Sequence, residues 1–328
     1  MATDARRASN QTGRIIRRVL VTQEIAVLLG LIVVAIIFTF ATPNFLTPFN
    51  LFQLTRQMAL LTIIAVGMTF VISSGEIDIS VGAIYNLSAT VMALMIADSN
   101  LSPWTAALAA LGVGILAGAL NGLISVSLGL PTLIVTLGTV SLYRGITIML
   151  SGGLSIGNLP DSNFYLIGSQ RLGSIPYLAI IALIIVAIAG WLFRNTVFAR
   201  QLLAIGSNRQ AAERTGILVK TRKIQVMALM GFMCGIAGVM GIAYLRSASP
   251  QSGAGYELTA IAATVVGGTQ LTGGIGTVWG TLLGMALIIV IQNGLLLIGL
   301  PTSWQIASTG VMILIAVAIQ QLIRRRAM

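Results

Sequence analysis

Apolar runs separated by short polar stretches make up most of this chain. A helix needs about 20 predominantly apolar residues to cross a hydrocarbon core. Ten runs approach that length: 24–40, 51–73, 79–97, 104–128, 131–151, 175–193, 224–245, 258–271, 277–298 and 303–322. The eighth is short and rich in glycine, so a broken or re-entrant segment competes there with a full crossing. The pattern predicts an all-α fold, a polytopic transmembrane bundle of about ten spans.

Composition agrees with lipid as the solvent. Of 328 residues, 56% are hydrophobic and 8% charged, whereas soluble domains run near a quarter charged. The net charge of +11 could indicate nucleic-acid binding, but its distribution indicates membrane anchoring. Arg6, Arg7, Arg14, Arg17 and Arg18 precede the first run, and Arg324, Arg325 and Arg326 follow the last. Arg194, Arg200, Arg209, Arg214, Lys220, Arg222 and Lys223 lie between runs six and seven. With an even number of spans, placing both termini in the cytoplasm puts all three clusters there, as the positive-inside rule requires. The expected division is a basic cytoplasmic segment over 1–23, a permease domain over 24–323 with a cytoplasmic loop at 194–223 that holds a short helix, and a cytoplasmic tail at 324–328. The first run is longer than a signal core and lacks a small-x-small site before Pro43, so it is expected to stay in the mature chain. There are no histidines, and Cys234 is the single cysteine. No disulfide framework or thiolate metal site is expected, and Cys234 reads as a small packing residue.

Glycines at Gly114, Gly118 and Gly122, at Gly276, Gly280 and Gly284, and at Gly231 and Gly235 recur every four residues. Such ridges let helix backbones approach closely in lipid. Two stretches echo each other: Asn121-Gly122-Leu123 leading to Gly129-Leu130-Pro131-Thr132, and Asn293-Gly294-Leu295 leading to Gly299-Leu300-Pro301-Thr302. Under the ten-span topology they end on opposite sides, as in an inverted repeat, although their spacings differ. Gly267 to Gly274 looks like a phosphate loop but lacks its Gly-Lys-Ser/Thr ending, so nucleotide binding by that mechanism is not expected.

Polar groups inside apolar runs mark the candidate chemistry. Gly75-Glu76-Ile77-Asp78-Ile79-Ser80-Val81-Gly82 places two of the eight acids at the junction of runs two and three. Capping of the third span by Asp78 or Ser80 is favoured over solute contact. Arg56 sits near the outer end of its run, where it can snorkel. Arg144 lies deeper, beside Tyr143 and Thr147, and suits a polar path. Asn86, Asn121, Gln292 and Asn293 could line that path, with interhelical hydrogen bonding as the competing use.

The segment Ser207-Asn208-Arg209-Gln210-Ala211-Ala212-Glu213-Arg214-Thr215-Gly216 predicts a short helix. Ser207 is the expected N-cap, with Gln210 completing a capping box, and Gly216 suits a left-handed stop. So short a helix needs a surface to lie on. That surface is either anionic lipid or a cytoplasmic partner.

Four ordered blocks are similar to the ribose-type permeases of bacterial ABC importers. They are Gly75 to Gly82, Pro131 to Thr139, Ala204 to Gly216, and Gly255-Tyr256-Glu257-Leu258 through Gly276-Thr277-Val278-Trp279-Gly280. The resemblance spans about residues 45 to 320. It implies a multi-pass subunit in the bacterial inner membrane that carries a monosaccharide or related small polar solute. It also implies a second permease chain, a cytoplasmic ATPase dimer that holds ATP-Mg, and a periplasmic sugar-binding protein. This chain would bind no cofactor itself, and Ser207 to Gly216 would be the helix that couples to the ATPase. Glu76 departs from the second glycine more usual in the family, which questions close backbone approach at this turn. The alternatives are the related branched-chain amino-acid permeases and a secondary transporter driven by an ion gradient. A membrane enzyme would need a nucleophile–base pair or metal site, and none is recognisable.

Overall fold

A computed structural model describes residues 23–99 and 101–327. The first basic cluster, Arg6 to Arg18, lies outside the described residues. Eight helices are long and apolar enough to cross a membrane: α1 (Gln23–Ala41), α2 (Pro48–Ser73), α4 (Pro103–Leu128), α5 (Thr132–Ser151), α7 (Tyr177–Asn195), α10 (Val219–Leu245), α12 (Val278–Leu297) and α13 (Thr302–Leu322, helical on to Ala327). The third and eighth expected spans are shorter, α3 (Val81–Ala97) at 17 residues and α11 (Tyr256–Val266) at 11. At 1.5 Å per residue α11 covers about 16 Å, roughly half the hydrocarbon. Three short helices complete the set: α6 (Leu166–Ser169), α8 (Val197–Ser207) and α9 (Arg209–Arg214). One departure from an all-helical chain is a hairpin pairing Arg171–Leu172 with Ile175–Pro176.

Helix starts follow local chemistry. Thr47 caps α2 ahead of Pro48, Thr196 caps α8, and Thr277 caps α12, each hydroxyl accepting a first-turn backbone N–H. Gly129 and Gly152 end α4 and α5 in the left-handed conformation.

The centre of the bundle is α2 and α10, whose apolar windows are 78% and 72% buried, while α1 and α13 are 6% and 11% buried. The two glycine ridges on α4 and α10 prove to be two halves of one contact. A Cβ at Gly114 or Gly118 would strike the backbone of Gly231, and one at Gly231 would strike Gly114. Gly280 and Gly284 similarly admit Gly267 and Ala263 at the end of α11. Gly276 falls before α12 and faces Ser73 and Phe193. Hydroxyls tie the centre together: Thr69 and Thr281 lie 2.8 Å apart, and Thr264 donates to the Ala65 carbonyl at 3.2 Å.

The echoed stretches adopt one local form. Leu130 N donates to Ser125 O and Leu300 N to Leu295 O, both at 3.1 Å, closing α4 and α12 ahead of a left-handed glycine and a proline.

The short length of α11 has a visible cause. The segment after α10 folds back into the bundle, where Asn86 on α3 donates to the Pro250 carbonyl at 2.8 Å. Gly253 is buried against Gly82. The chain therefore reaches Tyr256 partway down the bundle before it turns helical again.

Candidate functional site at the basic end

The segment 194–223 is mostly helix rather than loop: α7 runs to Asn195, α8 and α9 follow, and α10 begins at Val219. Asn208, not Ser207, caps α9: its Oδ1 accepts from Ala211 N at 3.0 Å. Ser207 instead closes α8. The backbone of Asn208 is extended, at φ −158°, which breaks the helix there and frees its side chain to cap. At the other end Ile217 N donates to Ala212 O and Gly216 N to Glu213 O, with Gly216 at φ +82°. This pairing is the Schellman closure. Among the residues of α9 only Ala212 is buried, against Ile205 and Val219. Arg209, Gln210, Ala211, Glu213 and Arg214 are exposed, as is Thr215 just beyond, with Arg209 and Glu213 paired at 3.3 Å.

Three motifs far apart in the chain meet directly behind α9. Gly206, near the end of α8, abuts Ser73, Gly75 and Gly273, and Gly274 abuts Ser207. Gly274 N donates to Ser73 O at 2.9 Å. Gly75 and Gly273 hold φ of +79° and +82°. A side chain at Gly206 or Gly273 would collide with backbone, and at the φ of Gly75 or Gly273 it would be strained. The phosphate-loop lookalike is thus a packing device. The close approach questioned at Glu76 occurs one residue earlier, at Gly75.

Glu76 points elsewhere. Lys223 Nζ of α10 lies 2.8 Å from its carboxylate, and Thr132 of α5 donates to it. Lys223 is 7% exposed, so this is a buried ion pair. Beyond it Asp78 Oδ1 accepts from Ser80 N at 2.8 Å and from Ser80 Oγ at 2.6 Å. Asp78 thus clamps the residue that opens α3, while the Ser80 side chain makes no capping bond of its own. Asn121 donates to Ser80 Oγ at 2.8 Å, and Tyr143 OH donates to Asn121 Oδ1 at 3.0 Å. Residues 75–80 are therefore held by α4, α5 and α10 together. A cleft of about 600 Å³ opens beside them, lined by Glu76, Arg209, Lys220 and Lys223 and by the α4–α5 turn.

The remaining sequence-marked residues lie elsewhere. Arg144 faces Glu257 of α11 at 3.7 Å. Asn293 exchanges two amide hydrogen bonds with Asn50, at 2.8 and 2.9 Å, and Gln292 donates to Thr309 at 2.9 Å. Arg56 is held by the Gly168 carbonyl and stacks over Phe52 and Tyr244. Lys223 and Glu257 were not singled out as partners by the sequence, since each pair joins residues more than 100 positions apart. Among the described residues no cluster of acids or cysteines could hold a metal.

A bundle of apolar helices, one of them broken, with a small polar helix seated on glycine turns at its basic end, is the architecture of a membrane permease component. The chain belongs to the family described as the branched-chain amino acid transport system / permease component, whose model matches residues 50–317. It is similar to the ribose import permease protein RbsC of Bacillus subtilis, at 39% identity over 302 residues covering 92% of this chain and 94% of that one. RbsC of Escherichia coli K12 is 36% identical over 89% of this chain and 92% of its own length. The autoinducer 2 import system permease protein LsrC of Yersinia pseudotuberculosis is 34% identical over 78% of this chain and 72% of its own.

Proposed function

We propose that this protein is the membrane-spanning subunit of an ATP-driven importer and carries a monosaccharide or related small polar solute across the bacterial inner membrane. The observation that carries the proposal is the seat of α9. Its exposed face offers Arg209, Gln210, Glu213 and Arg214 to a partner, while the turns behind it touch the link that opens α3. A push on α9 is thereby delivered to the α2–α3 link and to the glycine loop before α12. The partner is a separate ATPase subunit holding ATP-Mg, and solute arrives on a periplasmic binding protein. A second permease chain completes the pathway. ATP binding moves the bundle only if the ATPase docks differently in its two nucleotide states.

The solute class is supported by the relatives, named for ribose and autoinducer 2 import. A second reading, an importer subunit for branched-chain amino acids, is favoured by the wording of the family description. Charge reversal at Arg209 and Arg214 is expected to abolish co-purification of the ATPase subunit while the chain stays folded and inserted. Capture of the ATPase by the double variant at the wild-type level would overturn the docking role. Uptake that survives ATP depletion but collapses with an ionophore would favour an ion-driven transporter instead.

A further inference from the structure

Between α2, α11, α12 and α13 lies a cavity of about 230 Å³, away from the basic end. Its wall includes Gln57 of α2, Tyr256 and Thr259 of α11, Gln292 of α12, and Gln305 and Thr309 of α13. With Thr302 at the start of α13, three amides and four hydroxyls thus gather among helices that are otherwise apolar. Bare polar groups are costly against lipid tails, so such a cluster needs water or a solute. Two of the three threonine hydroxyls are already committed: Thr259 donates to Gly255 O and Thr309 to Gln305 O, each at 3.1 Å. Gln292 spends one amide hydrogen on Thr309. Its carbonyl oxygen and second amide hydrogen, the amides of Gln57 and Gln305 and the hydroxyl of Thr302 remain as the exchangeable groups of the wall.

The location suits reception of a solute. Tyr256 opens α11, the helix that follows the segment packed inward against Asn86 and Gly82 of α3. Gln305 lies in the first turn of α13 and Gln292 near the end of α12, so the cavity sits in the half of the bundle opposite α9.

We infer that this cavity binds a neutral polyhydroxylated solute of monosaccharide size, an inference that rests on the import reading above and names the site it uses. A volume of about 230 Å³ has room for one small ring. Each carboxamide offers both donors and an acceptor, which matches hydroxyls that do both. No lining residue is charged. A zwitterionic amino acid would bury its carboxylate and ammonium there without counter-charges, and that excludes it from this site. The rest of the wall is mainly apolar and can cover the C–H faces of a sugar ring.

The test uses the full chain in lipid nanodiscs. Cys234 is fully buried, so Ile306→Cys, at a 68% exposed position on the rim, supplies the one accessible thiol. Its rate of modification by a small water-soluble thiol reagent is measured with D-ribose, D-xylose, D-glucose, myo-inositol or L-leucine present. At least one of the four polyols is expected to slow labelling several-fold, with L-leucine without effect. Adding Gln292→Leu is expected to remove that protection. Leu258→Cys, on the other side of the cavity, serves if the first variant fails to fold. Labelling unaffected by all four polyols, slowed equally by L-leucine, or still protected in the Gln292→Leu background would overturn the assignment. No protection of the Ile306→Cys chain by any polyol, with ATPase capture intact, sinks this site alone. Protection without ATPase capture sinks the importer reading and keeps the site.

Discussion

Lys223 is largely shielded at the edge of the basic-end cleft, with Glu76 as its counter-ion and Thr132 completing the carboxylate's bonds. Removing one partner of such a pair leaves the other charge buried, at a cost of about 3–5 kcal/mol, whereas replacing both with apolar groups is often neutral. Glu76→Ala is therefore expected to lower the thermal stability of the detergent-purified chain sharply, and Glu76→Leu with Lys223→Met to restore most of it. Single variants as stable as the wild type would show that the pair is solvated. The sequence marked Glu76 as conspicuous but offered no route to Lys223, because the contact depends on where α10 crosses the α2–α3 link. The amide pair Asn50–Asn293 was hidden for the same reason. The family-like block Gly75 to Gly82 was visible as a motif, yet its parts do different work: Gly75 makes the left-handed turn at φ +79°, Glu76 meets α10, Asp78 fixes Ser80, and Gly82 admits the re-entering segment.

At the scale of elements, the α4–α10 crossing depends on missing side chains. Gly118→Leu would force α10 away at Met227 and Gly231, and is expected to abolish recovery of folded, membrane-inserted protein. Gly138→Ala on α5, where a Cβ would meet open space, is expected to leave yield and thermal stability unchanged or slightly raised, since alanine favours helix by about 1 kcal/mol. Equal losses from both would mean that the crossing is not the cause. The four-residue glycine spacing was legible in the sequence, because small-residue ridges repeat with the helix. That the two ridges face each other was not. At α9, Asn208→Ala removes the cap, worth about 0.5–2 kcal/mol, and is expected to weaken solute uptake while Asn208→Ser retains it. Wild-type uptake by Asn208→Ala would leave the cap without a functional role. Sequence favoured Ser207 as the cap because serine and asparagine are both good caps and stand side by side. The backbone break at Asn208 made the choice.

At the scale of the whole molecule, the charge pattern sets an orientation that can be measured. Asp161 and Glu213 are exposed at opposite ends of the bundle. Introduced singly as cysteines beside the buried Cys234, Asp161→Cys is expected to react with an impermeant maleimide on intact cells. Glu213→Cys is expected to react only after permeabilisation. The reverse pattern would invert the topology and place α9 out of reach of a cytoplasmic ATPase.

The sequence by itself determined the solvent, the helical class, the long spans, the basic side and the existence of a small polar helix between two of them. Each is written in local composition and length, and hydrocarbon enforces them without reference to distant residues. The tertiary structure alone decided between a full crossing and half a helix at the eighth span, where the preceding segment packs into the bundle against Asn86 and Gly82 of α3. Only it could bring Gly75, Gly206 and Gly274 together behind α9, or gather Gln57, Gln292 and Gln305 around one cavity. Those are contacts between residues far apart in the chain, and their geometry is set by how the helices cross.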